Sequence, residues 1–192
     1  PVSTGTGGDV HARAWVRWLE IQRSADFIRQ QLAALPARCA PAPAPALAGE
    51  SLARQMILDG MRGIDVLESL PEVDARRIGI TGCSGGGTLT TYLAALDERA
   101  AVAAPACYIT SWEDQLQADT GPQDAEQQFP DLLRNGYDHA DFVTAFAPKP
   151  YLICSTDEDF FPLSGARKTY QEARRMWALL GAPERIEWFH EP

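Results

Sequence analysis

The sequence predicts an α/β domain: a mostly parallel sheet with helices on both faces. Three observations carry this expectation. From residue 50 onward, short apolar runs alternate with amphipathic helical segments. The runs are almost continuously apolar, as strands buried on both faces are. Between the first run and the helix after it lies a glycine-rich turn, Gly82-Cys83-Ser84-Gly85-Gly86-Gly87.

The elements follow in order. Ser51–Leu70 sets Met56, Ile57, Met61, Ile64 and Leu67 on one face and ends at Pro71, so it reads as an amphipathic helix. Arg77–Thr81 is a short strand that runs into the glycine turn, and Thr88–Leu96 is the next helix. Ala100–Tyr108 is a second strand. Residues 109–148 are polar, aromatic and acidic, with breakers at Gly121-Pro122, Pro130, Asn135-Gly136 and Pro148, and read as a cap-like insertion. Tyr151–Cys154 is a third strand. Gly165–Leu180 is a helix with Tyr170, Ala173, Met176, Trp177 and Leu180 inward, and Arg185–Phe189 is a fourth strand. Four strands leave an edge open, which favours a homo-oligomer.

The first 46 residues differ in character. Residues 1–8 form a loose terminus. Asp9–Leu35 has helical periodicity, with Trp15, Trp18, Leu19, Phe27, Ile28 and Leu32 recurring. Pro36–Pro45 alternates Ala and Pro and reads as an extended linker. The expected organisation is a helix plus linker over 1–46 and an α/β domain over 47–192.

The 192 residues carry 17 Lys+Arg and 26 Asp+Glu, so the net charge is 17 − 26 = −9. That balance argues against a nucleic-acid partner, because no basic patch is available to release counterions. The longest apolar stretch, near Ala100–Ala106, is far short of the roughly 20 residues of a membrane helix. No signal segment is visible, and the compartment is left open. The chain opens Pro1-Val2-Ser3 without an initiator Met and is expected to be a processed form or a fragment. Cys39, Cys83, Cys107 and Cys154 lack zinc-finger or CxxC spacing, and Cys107 and Cys154 read as buried free thiols. No metal or organic cofactor is implied.

The chemistry centres on Gly82-Cys83-Ser84-Gly85-Gly86, a G-x-S-x-G pattern between a strand and a helix. A serine nucleophile must project from a sharp, strained turn, and Gly82 and Gly86 leave room for strand and helix to approach. The helix N-terminus adds a positive dipole end, and the Gly85 N–H is the candidate oxyanion donor. Phosphate-binding rivals fail, because no Lys follows the glycines and no G-x-G-x-x-G occurs. A serine needs a base oriented by an acid, in chain order Ser, acid, His. Asp157, Glu158 and Asp159 follow the third strand, and any of them suits the acid. His11 precedes the serine and His139 precedes the acids, so His139 reads as structural. His190 has the right order, but it ends the last strand two residues before Pro192.

The sequence resembles the α/β-hydrolase superfamily, in particular the bacterial acetyl xylan esterase-like hydrolases. The matching stretches include Leu47–Ala53, Asp59–Leu67, Gly82–Thr88, Leu93–Arg99, Cys107–Thr110, Gly121–Asp124, Ala147–Pro150 and Asp159–Phe161. The resemblance runs from about residue 47 to the end, and the serine and Asp-Phe-Phe motifs are its most specific parts. It implies Ser84 as nucleophile and Asp159 as acid. It also implies a Gly-His pair shortly after the last strand, which places the base just beyond Pro192 and leaves His190 the lesser candidate. Residues 1–45 do not supply the earlier strands and second oxyanion loop of related enzymes, so the chain is expected to be truncated or rearranged.

The resemblance implies an ester hydrolase working through an acyl-serine, with carbohydrate acetyl esters as the favoured small-molecule substrates. A related peptidase or dienelactone-type hydrolase is the enzymatic alternative. Tyr108 and Trp112, with Phe129 and Phe142, are candidates to line the substrate pocket and equally candidates for the core. The contrasting class is a non-catalytic module that lacks its histidine.

Overall fold

The first described helix begins where a serine can cap it. The computed structural model describes residues 51–191. The expected helix over 9–35, the Ala/Pro segment, His11 and Cys39 lie outside them. The Ser51 hydroxyl accepts from Arg54 N at 3.1 Å and starts α1, Leu52–Ser69. Ala53, Ile57 and Ile64 are its buried residues. After Pro71 the chain makes a 3-10 turn over Ala75–Arg77, capped by the Asp74 carboxylate, and enters β1, Ile78–Cys83.

The alternation then proceeds as the apolar pattern predicts. Helix α2 is Gly85–Leu96 and β2 is Ala100–Ala106. Arg99 fixes the turn between them. Its guanidinium holds Asp97 at 2.6 Å and reaches back to α1, to Asp65 at 2.6 Å and Glu68 at 2.8 Å. Those hydrogen bonds raise the arginine's pKa and lower those of Asp97 and Asp65.

The cap region contains two six-residue helices that periodicity does not reveal: α3, Trp112–Gln117, and α4, His139–Thr144. Side-chain caps define both. Ser111 starts α3. Asp138 starts α4, and its Oδ1 accepts from Trp112 N at 3.0 Å and His139 N at 2.6 Å. One carboxylate therefore ties the two helix starts together. His139 is 1% exposed, its Nδ1 accepts from Thr110 N at 3.4 Å, and burial pushes its pKa down to about 3. It is a neutral structural histidine, as its place in the sequence suggested.

Strand β3 is Tyr151–Thr156, α5 is Leu163–Leu179 and β4 is Ile186–Glu191. The strands pair in parallel in the order β1-β2-β3-β4. Right-handed crossovers that all step the same way lay their helices on one face. Ala103, Ile153 and Ile186 accordingly share one core with Ala94 of α2 and with Ala173 and Trp177 of α5. Trp177 is fully buried and donates its Nε1–H to Lys149 O at 3.1 Å. The opposite face presents Val102 and Phe189, 40% and 51% exposed. Cover on that second face, which the sequence pattern leads one to expect, is not found among the described residues.

Candidate active site

Ser84 stands between β1 and α2 with φ 57° and ψ −120°. That backbone costs a non-glycine residue about 1–3 kcal/mol and persists only where its surroundings enforce it. Two hydrogen bonds do so: Ser84 N donates to Ala106 O at 2.9 Å, and Thr88 N donates to Ser84 O at 2.9 Å. The serine is exposed, and its hydroxyl makes no capping bond to α2. The result is a serine on a sharp strand-to-helix turn, at the carboxyl edge of a parallel sheet.

The glycines divide this work differently from the motif reading. A Cβ on Gly82 would lie 2.5 Å from Gly86 O, and one on Gly87 would lie 2.5 Å from Ala106 O. A Cβ on Gly86 would meet nothing within 4 Å. The close approach of strand and helix thus falls on Gly82 and Gly87. Gly86 contributes its backbone to the contact, and its own missing side chain is not required.

Gln127 was not singled out from the sequence, yet it sits over the elbow. Its Nε2 is 3.3 Å from where a Cβ on Gly85 would stand. The amide donates to Asp124 Oδ2 at 3.1 Å, and Gln127 O accepts from Tyr92 OH at 2.9 Å. Its only sequence signal is the i, i+3 spacing of Asp124 and Gln127 just after Gly121-Pro122.

The acids and histidines at the other strands are arranged as follows. Asp157 Oδ1 lies 3.0 Å from His190 Nδ1, and both side chains are 42% exposed. Asp159 Oδ1 accepts from Phe161 N at 3.4 Å and also lies against Cys107. Burial, and then the Asp159 carboxylate, push the Cys107 thiol up to about 12. Cys107 follows β2 and interacts with Cys83 on β1, so Asp159 is turned toward the serine side of the sheet. Asp157 is turned toward β4. Cys83, Cys107 and Cys154 are free thiols, and the latter two are half-buried.

His190 is not brought to Ser84. It is a ladder residue of β4, opposite Ser155. Strands β2 and β3 stand between it and β1. Three strand spacings of about 4.8 Å put it roughly 14 Å from the elbow. Tyr108 and Trp112 are 2% and 6% exposed. Tyr108 stacks against His139 and Phe161, and Trp112 against His139, so both support the cap from within rather than face a ligand. Phe129 and Phe142 pack on Tyr92. Among the described residues no group of three or more His, Cys, Asp or Glu side chains could hold a metal ion. No described helix is long and apolar enough to cross a membrane.

The chain that carries this exposed serine is similar to known proteins. Residues 48–134, with the elbow among them, match the acetyl xylan esterase (AXE1) family model. Over those residues the chain is similar to acetyl xylan esterases, and its fold is that of the α/β-hydrolases. YtaP of Bacillus subtilis (strain 168), a hydrolase by name, is 24% identical over 139 residues, 72% of this chain and 46% of that protein. Among solved structures, a methylesterase is 28% identical with a TM-score of 0.60, over 74% of this chain and 31% of its own. A glucuronoyl esterase from Sporotrichum thermophile is 20% identical with a TM-score of 0.61, over 72% of this chain and 45% of its own. The chain thus spans less than half the length of these relatives.

Proposed function

We propose that the protein is a serine carboxylic ester hydrolase, acting on small esters and on acetyl esters of carbohydrates. The observation that carries this reading is the strained, exposed elbow at Ser84. In the proposed mechanism the Ser84 hydroxyl attacks the ester carbonyl and a base removes its proton. The Gly85 N–H, at the positive end of α2, receives the developing oxyanion. The alcohol leaves with a proton from the base, and water then cleaves the acyl-serine. Gln127 is positioned to donate from its amide to a substrate oxygen above Gly85. Asp159 is the acid we assign, because it faces the serine side of the sheet, and a histidine is the base this chemistry calls for. The names of the matched relatives support an esterase, and the carbohydrate substrate class is inferred from them.

The test is covalent labelling by a fluorophosphonate, with hydrolysis of p-nitrophenyl acetate measured in parallel. The expected result is labelling that disappears in Ser84→Ala. Labelling that survives the substitution would overturn the assignment of Ser84. One observation favours a second reading, a non-catalytic module: no described histidine reaches Ser84. That reading takes over if neither labelling nor hydrolysis depends on Ser84.

A further inference from the structure

A groove of about 800 Å³ runs between α5 and β4 on the helix-covered side of the sheet. Arg167, Tyr170, Arg174, Arg175 and Trp188 are among the residues that line it. The volume is within the range of small-ligand sites. The charge is what sets it apart. The chain carries 26 acids against 17 cations, and most other described cations are spent on them. Arg99 holds three carboxylates, and Lys168 holds two. No described carboxylate pairs with Arg167, Arg174 or Arg175.

The groove is also rigid at its aromatic end. Trp188 donates its Nε1–H to Ser155 Oγ at 3.2 Å, and its ring lies 6.1 Å from that of Tyr170. The Arg167 guanidinium sits 5.7 Å over the indole, which orients a planar fork of donors at the groove wall. Arg167, Arg174 and Arg175 fall at i, i+7 and i+8 of α5, one helical face about 12 Å long. Beyond Trp188 the row continues through His190, at 4.9 Å between rings, to Asp157 in the acid loop. The row of rings therefore runs from the groove toward the carboxyl edge of the sheet.

We propose that this groove binds an anionic carbohydrate chain that carries carboxylates on its sugars. The proposal rests on the carbohydrate-ester reading of the Ser84 site and adds a second surface to it. Arginine forks pair with carboxylates through two parallel hydrogen bonds, and an aromatic ring offers a flat apolar surface to a sugar. A row of separated guanidinium groups matches a ligand with repeated, spaced charges better than a single small anion. Three arginines in a chain of net charge −9 are too few to hold a phosphate backbone by counterion release.

The experiment is calorimetric titration of Ser84→Ala protein at low ionic strength, so that no turnover intervenes. Three ligands of matched length are compared: an oligogalacturonate, a neutral xylo-oligosaccharide and a single-stranded oligodeoxynucleotide. The oligogalacturonate is expected to bind best, with a Kd at least tenfold weaker in Arg174→Glu/Arg175→Glu. Both residues are exposed, so the double variant keeps its fold, checked by its thermal midpoint. Equal binding of the neutral chain overturns the proposal, and so does oligogalacturonate binding that the double variant does not weaken. Tighter binding of the oligonucleotide replaces it with a nucleic-acid surface. Absence of any binding ends it. None of these readouts depends on Ser84 labelling, so the hydrolase reading and this one fail separately.

Discussion

The two ends of the candidate site differ in how completely they are built. At the β1–α2 end the serine is held in a strained backbone by two 2.9 Å hydrogen bonds, and two glycines make room for it. At the β4 end, the ladder residue His190 forms an exposed pair with Asp157 of the acid loop, far from the serine. The first is made almost entirely from a run of six residues and the strand beside it. A serine turn can therefore be tightly built although no described histidine is brought to it.

The sharpest way to break the comparison is at the glycines. Gly82→Ala is expected to destabilise the domain by about 2–4 kcal/mol, because its Cβ would strike a backbone carbonyl and the strand and helix must separate. Gly86→Ala is expected to range from neutral to about 1 kcal/mol more stable, since it places Ala in open space on a helix. Urea denaturation of the two variants decides the matter. Equal losses would show that the tight approach is not where the structure puts it.

The next effect lies in the cap, whose only described buried histidine is neutral. His139 has a folded pKa near 3, below its unfolded value of about 6.5. Its contribution is fully present above pH 6.5 and is lost as pH falls toward 3, because the unfolded chain then binds the extra proton. From pH 7 to 5 this amounts to roughly 2 kcal/mol. Unfolding free energies at the two pH values should fall by that amount in the wild type. In His139→Gln the slope should flatten, and an unchanged slope would mean that other groups carry it.

The Ser84 end and the main elements were legible for a local reason. Apolar runs and amphipathic periods set the strands and long helices to within three residues, as with Ser51–Leu70 against the observed Leu52–Ser69 and Thr88–Leu96 against Gly85–Leu96. The G-x-S-x-G pattern encodes a backbone shape directly. What was illegible depends on distant partners. Helices α3 and α4 are too short to show a period and exist through the capping by Ser111 and Asp138. Gln127 reaches Gly85 only because Tyr92 and Asp124 hold its loop. Tyr108 and Trp112 suit pocket and core equally in sequence, and packing shows them buried around His139. His190 satisfies the chain order of a triad, but order does not say that two strands lie between it and the serine.

The smallest effect is the most informative about the β4 end. A hydrogen-bonded pair that is two-fifths exposed contributes about 0–1 kcal/mol, so Asp157→Asn and His190→Gln should barely move the unfolding midpoint. If His190 is as far from Ser84 as the ladder places it, His190→Gln should also leave fluorophosphonate labelling of Ser84 unchanged. Asp159→Asn should lower that labelling wherever a base is present, because Asp159 is the carboxylate on the serine side. The two acids are two residues apart, so a general loss of loop structure would affect both variants alike. A difference between them isolates position. Labelling that fell with His190→Gln and not with Asp159→Asn would mean that β4 unzips and carries its histidine to the elbow, and the contrast between the two ends would then describe a resting state rather than the working one.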